Sequence, residues 1–213
     1  MELPLFPLHL VLFPGRPLPL HLFEQRYRQM LADCLRADRR FGVVAIRAGS
    51  DVAPGADVFS VGTIAEIEDV ERFDDGRANI VTRGRQRFRI DAIVPGRPYL
   101  CARVRPLEEA PAVAEDAERA EALRRVLLPY LAELGAPDEL LRRIPSGPAD
   151  LAWLAAAALQ VEVPEQQRLL ELDTCSQRLE ATLEALRREA GLMRHFGTVG
   201  SLRPPSPAGA ELN

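Results

Sequence analysis

Four arginines alternate along one segment of the chain, and their type and spacing point most directly to chemistry. Arg83, Arg85, Arg87 and Arg89 are each separated from the next by a single residue. On a β-strand such positions share one face, so their guanidinium groups would form a row. Guanidinium forks bind phosphate and carboxylate groups through paired hydrogen bonds. Arg85, Arg87 and Arg89 are therefore the candidate ligand-binding residues.

The same row has a simpler interpretation as the solvated face of a strand. Glu66 and Glu68 alternate in the preceding predicted strand and could pair with it across the sheet. Gly84 could also introduce a bulge that moves Arg83 out of the row. The net charge of -4 opposes nucleic-acid binding through an overall basic field. We favour the solvated face, and RNA binding through the row is kept as the alternative.

The chain contains no lysine, and all 27 of its basic residues are arginine. A Walker A phosphate-binding loop ends in a lysine, and a Ser–Lys catalytic dyad also needs one. The HExxH, GxSxG and dinucleotide-binding glycine motifs are absent as well. The sequence therefore predicts no catalytic residues and no cofactor, and we do not expect an enzyme.

Cysteine and histidine are too few and too scattered to indicate a metal site. The three cysteines, Cys34, Cys101 and Cys175, form no CxxC pair, and the three histidines have no ligand at metal-binding spacing. Separated free cysteines in odd number are typical of a reducing compartment. The N-terminus lacks the pattern of a signal peptide, and no apolar run is long enough to span a membrane. We therefore expect a cytoplasmic protein without a bound metal or a membrane contact.

The elements that must position these residues change character along the chain. As far as residue 107, apolar residues alternate or form short runs bounded by Pro and Gly, the pattern of about six strands. Pro4 and Pro7 predict edge or bent strands at the N-terminus. Between these strands, apolar residues from Phe23 through Tyr27 to Leu35 fall on one face of a helix. The pattern predicts a small closed or nearly closed β-barrel.

An acidic, alanine-rich connector at residues 108–116 marks the change to helical periodicity. Thr174 and Gln177 match a capping box that opens the longest predicted helix. Residues 197–213 are rich in Gly, Pro and Ser, which predicts a flexible tail. We therefore expect an α+β protein with a β-rich subdomain at residues 1–110, a helical subdomain at 111–196 and a tail at 197–213.

The N-terminal segment resembles the opening of the Lon protease N-terminal domain. Residues 3–30 read LPLFPLHLVLFPG and then, after Arg16 and Pro17, LPLHLFEQRYRQM; members of that family show similar LPLFPL, VLFPG and LPLHIFEPRYRQM segments. Further similarity lies in FGVV, VGTIA, DGR and GRQRFRI downstream. The signature positions, which we interpret as mainly structural, are Pro4, Phe6, Pro7, Phe13, Pro14, Gly15, Phe23, Glu24, Arg26, Tyr27, Gly42, Gly62 and Gly84.

This resemblance implies a PUA-like β pseudobarrel with one early helix, followed by a C-terminal α-helical bundle. It also implies a non-catalytic module that recognises polypeptide substrates in protein quality control. ATPase and protease segments do not follow in this sequence, so we expect a stand-alone protein of the LON substrate-binding type. The expected partners are unfolded or hydrophobic polypeptide segments, with a protease or chaperone as a further candidate. The peptide preference and the oligomeric state stay open.

Overall fold

The computed structural model describes residues 1–48 and 57–196, and its elements are those of an α+β protein. The strands are β1 (Glu2–Leu8), β2 (Pro17–Leu22), β3 (Arg40–Ala48), β4 (Asp57–Val58), β5 (Val61–Arg72), β6 (Ala78–Ile93) and β7 (Cys101–Pro106). The helices are α1 (Gln25–Arg36), α2 (Asp116–Glu133), α3 (Asp138–Arg142), α4 (Pro148–Ala158), α5 (Val163–Glu171) and α6 (Cys175–Phe196). The predicted fold class is confirmed, and the predicted tail lies outside the described residues.

The strands close into a barrel in the order β1-β7-β6-β5-β3, with β3 returning to β1. The closing pair β1–β3 is parallel, and the other pairs of the ring are antiparallel. Strand β2 adds to the first half of β6, and the short β4 adds to the end of β3. Helix α1 packs on this barrel through Tyr27, Met30, Leu31 and Cys34, which are buried. The predicted barrel with one early helix is therefore present.

Pro4 and Pro7 lie in the strand that closes the barrel, so of the two predicted alternatives, an edge or a bent strand, the edge position is wrong. The first part of β1 pairs with β7 and the second part pairs with β3. Leu5 donates its amide to the carbonyl of Leu100, on the β7 side. Because amides alternate in direction along a strand, Pro4 faces the β3 side before that pairing begins. Pro7 faces the β7 side after that pairing has ended, so neither proline costs a ladder hydrogen bond.

Strand β6 is continuous over 16 residues and includes Gly84. It forms a hairpin with β5 through Asp74-Asp75-Gly76, a pattern typical of hairpin turns, and Gly76 has a φ of +82°. An interior glycine usually weakens a strand. Here Gly84 instead joins β6 to the loop before β2. Its amide donates to Arg16 O, and its carbonyl accepts from the Gly15 amide, both at 2.8 Å.

Three helices of the second half begin at ordinary start signals in the sequence. Pro148 and Pro164 each lie in the first turn of a helix, where the missing amide costs nothing. The capping box before α6 is confirmed. Thr174 Oγ1 accepts a hydrogen bond from the Gln177 amide, and the Gln177 side chain accepts one from the Thr174 amide, both at 3.2 Å.

Barrel and helices meet in a shared hydrophobic core. Phe13 and Val61 come from the barrel part, and they lie in one buried cluster with Leu123, Trp153 and Leu179 of the helices. Each of these side chains is no more than 5% exposed. The described elements from Asp116 onward are all helices, and the division into two subdomains with its boundary stays a prediction.

Candidate functional site

Three aromatic side chains, which we call the aromatic patch, lie exposed where β2 ends and the β5–β6 hairpin turns. Phe23 is 61% exposed and Phe73 is 38% exposed. The ring of His21 lies between them, with ring centroids 6.1 Å from Phe23 and 6.2 Å from Phe73. Asn79 Oδ1, 2.7 Å from His21 Nδ1, positions the imidazole. Neighbouring exposed aromatic side chains are candidates for contact with another molecule.

Phe23 lies outside the helix whose apolar face it was predicted to join, and that prediction is wrong. Helix α1 begins at Gln25, and Glu24 precedes it with an extended backbone. Phe23 therefore does not share the helical period that buries Tyr27 and Met30. The late helix start is what places this ring at the surface.

A groove of about 280 Å³ lies between α1 and the β5–β6 hairpin, next to the aromatic patch. Phe73 belongs to both, so the groove and the patch form one continuous surface. The groove is lined by Gln25, Arg28, Gln29, Leu31, Ala32, Arg72, Phe73, Gly76 and Ala78. This lining combines apolar surface, amides and two arginines, and it contains no carboxylate.

Two arginines of the predicted row, Arg83 and Arg85, are paired with glutamates of β5. Arg83 Nε lies 2.6 Å from Glu68 Oε1, and Arg85 Nε lies 3.3 Å from Glu66 Oε2. The hydrogen bond from Arg83 lowers the pKa of the Glu68 carboxyl. These partners are the ones that the solvated-face interpretation named, so both guanidinium groups are already engaged at the surface.

Arg87 does not belong to this face, and the prediction of a single arginine row is wrong. The β5–β6 register shifts between the pairs Thr63–Arg87 and Ala65–Gly84, so one extra residue of β6 is accommodated. A bulge of this kind reverses the alternation of side chains. Arg87 is consequently 1% exposed and points into the junction with the helices, while Arg89 further along β6 is half-buried.

The buried Arg87 is bound by backbone carbonyls and one carboxylate. Its Nη1 donates to Leu170 O at 2.7 Å and to Leu172 O at 2.8 Å. Its Nε lies 2.5 Å from Glu109 Oε1 in the connector. These contacts link β6 to the end of α5, so Arg87 holds the barrel to the helices. It is not placed to meet a ligand at the surface.

A second buried arginine, Arg178, completes this junction and was not predicted from the sequence. Its guanidinium lies 3.4 Å from the ring centre of Trp153 and 3.3 Å from Glu109 Oε2. Burial lowers the pKa of Arg178 to about 10, although Glu109 acts in the opposite direction. A lone arginine in an amphipathic helix carries no sequence signal for such a role. Its place became evident from the fold alone.

The signature glycines lie where chains approach closely. A Cβ on Gly42 would lie 2.5 Å from the ring of Phe88, and one on Gly62 would clash with the carbonyl of Val43. A Cβ on Gly84 would clash with the carbonyl of Phe13. The barrel interior therefore has no space for a side chain at these three positions.

The remaining signature residues surround the start of α1 and the loop before β2. Phe6 stacks on Tyr27 with ring centroids 4.1 Å apart, and the Arg26 guanidinium lies 4.4 Å from the same ring. Arg26 Nε also donates to Glu24 Oε2 at 2.9 Å. After Phe13 and Pro14, Gly15 turns the loop with a φ of +77°. All these contacts stabilise the fold. Phe23, the remaining signature residue of this region, lies in the aromatic patch.

Residues 1–48 and 57–196 contain neither a candidate metal cluster nor a helix suited to span a membrane. No group of three or more His, Cys, Asp or Glu side chains in this part could hold a metal ion. The three cysteines are buried and free. In the same part of the chain, none of the helices has the length and apolar character needed to cross a bilayer.

Comparison with known proteins gives consistent matches. The family model described as "ATP-dependent protease La (LON) substrate-binding domain" matches residues 2–188. A Lon protease from Anaeromyxobacter dehalogenans is 32% identical over 93% of this chain, and Lon protease 2 from Myxococcus xanthus is 33% identical over the same share. These matches cover 24% and 25% of the two proteins, so the chain spans about a quarter of the length of the curated relatives it matches.

The solved structures support the same fold. A Lon N-terminal domain protein from Xanthomonas campestris superposes with a TM-score of 0.65 and is 30% identical in sequence. The superposition covers 86% of this chain and 98% of that one. The N-terminal domain of a Lon protease from the Mycobacterium avium complex gives a TM-score of 0.69 at 22% identity, which bears on the fold alone.

Proposed function

The chain belongs to the LON substrate-binding domain family, and on that premise we propose that it is a non-catalytic module that binds unfolded or apolar polypeptide segments. The aromatic patch of His21, Phe23 and Phe73 is the surface that makes this contact. Its observed exposure is the single observation that carries the proposal. Exposed aromatic side chains supply large contact area at small entropic cost, which suits binding to many sequences.

The absence of lysine supports the non-catalytic part of the proposal. Within these 213 residues neither a Walker A lysine nor a Ser–Lys dyad exists. We therefore expect purified protein neither to hydrolyse ATP nor to cleave unfolded protein. A separate protease or chaperone is the partner that would receive the bound segment, and the cytoplasm is the proposed location.

No observation on the described residues favours the alternative function, RNA binding. A continuous row of guanidinium groups would be needed to follow a phosphate backbone. Arg83 and Arg85 are paired with glutamates, and Arg87 is buried at the junction. Structured RNA therefore serves as the comparison ligand that would reveal this alternative.

The proposal is tested by fluorescence anisotropy with a labelled, unstructured peptide rich in Phe and Leu. We expect saturable binding with a Kd of about 1 μM or weaker, because a surface that accepts many sequences has no deep anchor pocket. In the double variant F23S/F73S the affinity should fall by about tenfold or more, since buried aromatic contacts each contribute about 1 kcal/mol or more. Both side chains are exposed, so the fold should be unaffected.

A matched control removes exposed apolar surface elsewhere. Leu134 and Leu140 of the helical part are 42% and 59% exposed, and L134S/L140S should leave binding unchanged. Equal loss in both double variants would show non-specific adhesion and would contradict the proposed site. Absence of peptide binding alongside saturable, salt-dependent binding to structured RNA would overturn the proposed function.

A further inference from the structure

We propose that the groove beside the aromatic patch binds a carboxylate side chain, so that the module prefers apolar polypeptide segments that carry Asp or Glu next to an aromatic residue. This inference rests on the proposed function and adds a substrate class to it. The observation behind it is a local charge opposite to that of the chain. The chain carries a net charge of -4, yet the groove lining contains two arginines and no acid.

Both arginines of the groove are available to a ligand. Among the described residues, no carboxylate oxygen lies within 4.0 Å of a guanidinium nitrogen of Arg28 or Arg72. This contrasts with Arg83 and Arg85 on the same hairpin, which are paired with glutamates. Arg72 is exposed and Arg28 is half-buried, so water still reaches both.

The nearby carboxylates are largely engaged elsewhere. Glu24 accepts a hydrogen bond from Arg26 at 2.9 Å, and Asp75 lies 2.6 Å from Arg77 Nε. Glu71 accepts from Asn79 Nδ2 at 2.9 Å. Asp74 at the tip of the hairpin is exposed and does not line the groove. Asp75 also attracts Arg28 at longer range, more weakly than it accepts its two hydrogen bonds from Arg77. An incoming carboxylate therefore competes only with this longer-range attraction for Arg28.

The Arg28 guanidinium lies against the hairpin turn at Gly76, where it lines the groove. The Arg28 guanidinium passes so close to Gly76 that a side chain at position 76 would collide with it. Gly76 also has the positive φ that this turn requires, at +82°. A glycine at the turn thus satisfies the backbone and leaves room for the arginine. The Arg28 guanidinium therefore packs against the turn and forms no ion pair with a carboxylate of the described residues.

Phe73 is shared by the patch and the groove, so a ligand can contact both surfaces at once. Phe73 lines the groove and also faces His21 of the aromatic patch, with ring centroids 6.2 Å apart. A bound chain that places an aromatic side chain against the patch has its neighbouring side chain beside the groove. A planar guanidinium binds a carboxylate through two hydrogen bonds, so Asp or Glu fits there better than a neutral amide.

The test compares two labelled, unstructured peptides that differ only in having Glu or Gln on either side of a central Phe. We expect the wild-type chain to bind the Glu peptide about three- to tenfold more tightly at low ionic strength, as partly exposed ion pairs allow. In R28Q/R72Q this preference should fall close to one, and R72Q alone should reduce it. High salt should remove the preference in the wild-type chain as well.

A matched control removes the same charge elsewhere on the barrel. Arg36 and Arg97 both pair with Asp33 at 3.3 and 3.7 Å, and neither lines the groove. The variant R36Q/R97Q should keep the preference for the Glu peptide. Equal affinity of the wild-type chain for both peptides, or an unchanged preference in R28Q/R72Q, would overturn the inference and leave the proposed function standing. Failure to bind either peptide would overturn both.

Discussion

At the scale of single residues, the junction depends on two buried cations that share one acid. Arg87 and Arg178 are each 1% exposed, and Glu109 lies 2.5 Å from the first and 3.3 Å from the second. Carbonyls of Leu170 and Leu172 accept further hydrogen bonds, while the buried Arg178 Nε has no acceptor among the described residues. A buried charge without its partner is costly, so the connector that carries Glu109 has a structural role beyond joining two parts.

We expect the variant Glu109→Gln to lower the free energy of unfolding by about 1–3 kcal/mol. The loss stays below that of a fully buried pair because the Glu109 side chain is 39% exposed and partly screened by water. Denaturation in urea, followed by circular dichroism, would measure the change. The neighbouring Glu108→Gln is the control, since Glu108 is exposed and should alter stability little. Equal effects of the two variants would contradict a specific role for Glu109.

At the scale of elements, the sequence predicted most of the framework and misplaced the residues at its irregular points. The barrel, the hairpin turn at Gly76 and the capping box at Thr174 follow local rules of period and turn chemistry, and the structure has them. The face of Arg87 depends on a bulge in β6, which period-two alternation does not reveal. The exposure of Phe23 depends on where α1 begins, and helix boundaries are weakly encoded.

The start of α2 is tied to the start of α6 through one carboxylate. Asp116 is fully buried, and its carboxylate accepts hydrogen bonds from Ser176 Oγ at 2.7 Å and from the Val113 amide at 3.0 Å. Burial alone would raise the pKa of this carboxyl. The hydrogen bonds, helped by Arg119 at 3.7 Å, outweigh burial and hold the pKa of Asp116 below its usual value of 3.8.

This shift predicts the pH dependence of stability. Because the pKa of Asp116 is lower in the folded than in the unfolded state, its contribution is fully present above the unfolded value of 3.8. The contribution is lost as the pH falls through the folded pKa. We expect Asp116→Asn to be less stable than the wild type at neutral pH, with the difference shrinking in acid. Urea denaturation across a pH series would measure it, with Asp138→Asn in the exposed first turn of α3 as the control. Parallel pH curves for the wild type and Asp116→Asn would contradict this assignment.

At the scale of the whole molecule, the aromatic patch and the junction lie in different regions and have different proposed roles, binding and stability. The patch lies by α1 and the β5–β6 hairpin, whereas the junction joins β6, the connector and the ends of α5 and α6. Phe13 and Trp153 belong to one buried cluster with ring centroids 6.0 Å apart, so barrel and helices share apolar surface. A shared core favours cooperative unfolding of both parts.

We therefore expect a substitution that destabilises either part to lower the urea midpoint of unfolding in both parts. Phe13→Ala should destabilise the protein by about 3–5 kcal/mol, because it leaves a cavity against Trp153. Trp153 is the single tryptophan and reports on the helical part by fluorescence, while hydrogen exchange of β5 amides reports on the barrel. In urea, the two probes should give coincident midpoints in the wild type and should shift together in the variant.

The variant Phe41→Ala tests the same coupling from the barrel side. Phe41 is fully buried in a barrel cluster that is separate from the helical core, so its removal acts on the barrel alone in the first instance. If the junction couples the parts, the Trp153 transition must move to lower urea along with the exchange of β5. If the barrel probe moves while the Trp153 transition stays in place, the two parts unfold independently. In that case the buried arginines would join two autonomous domains and would not couple their unfolding.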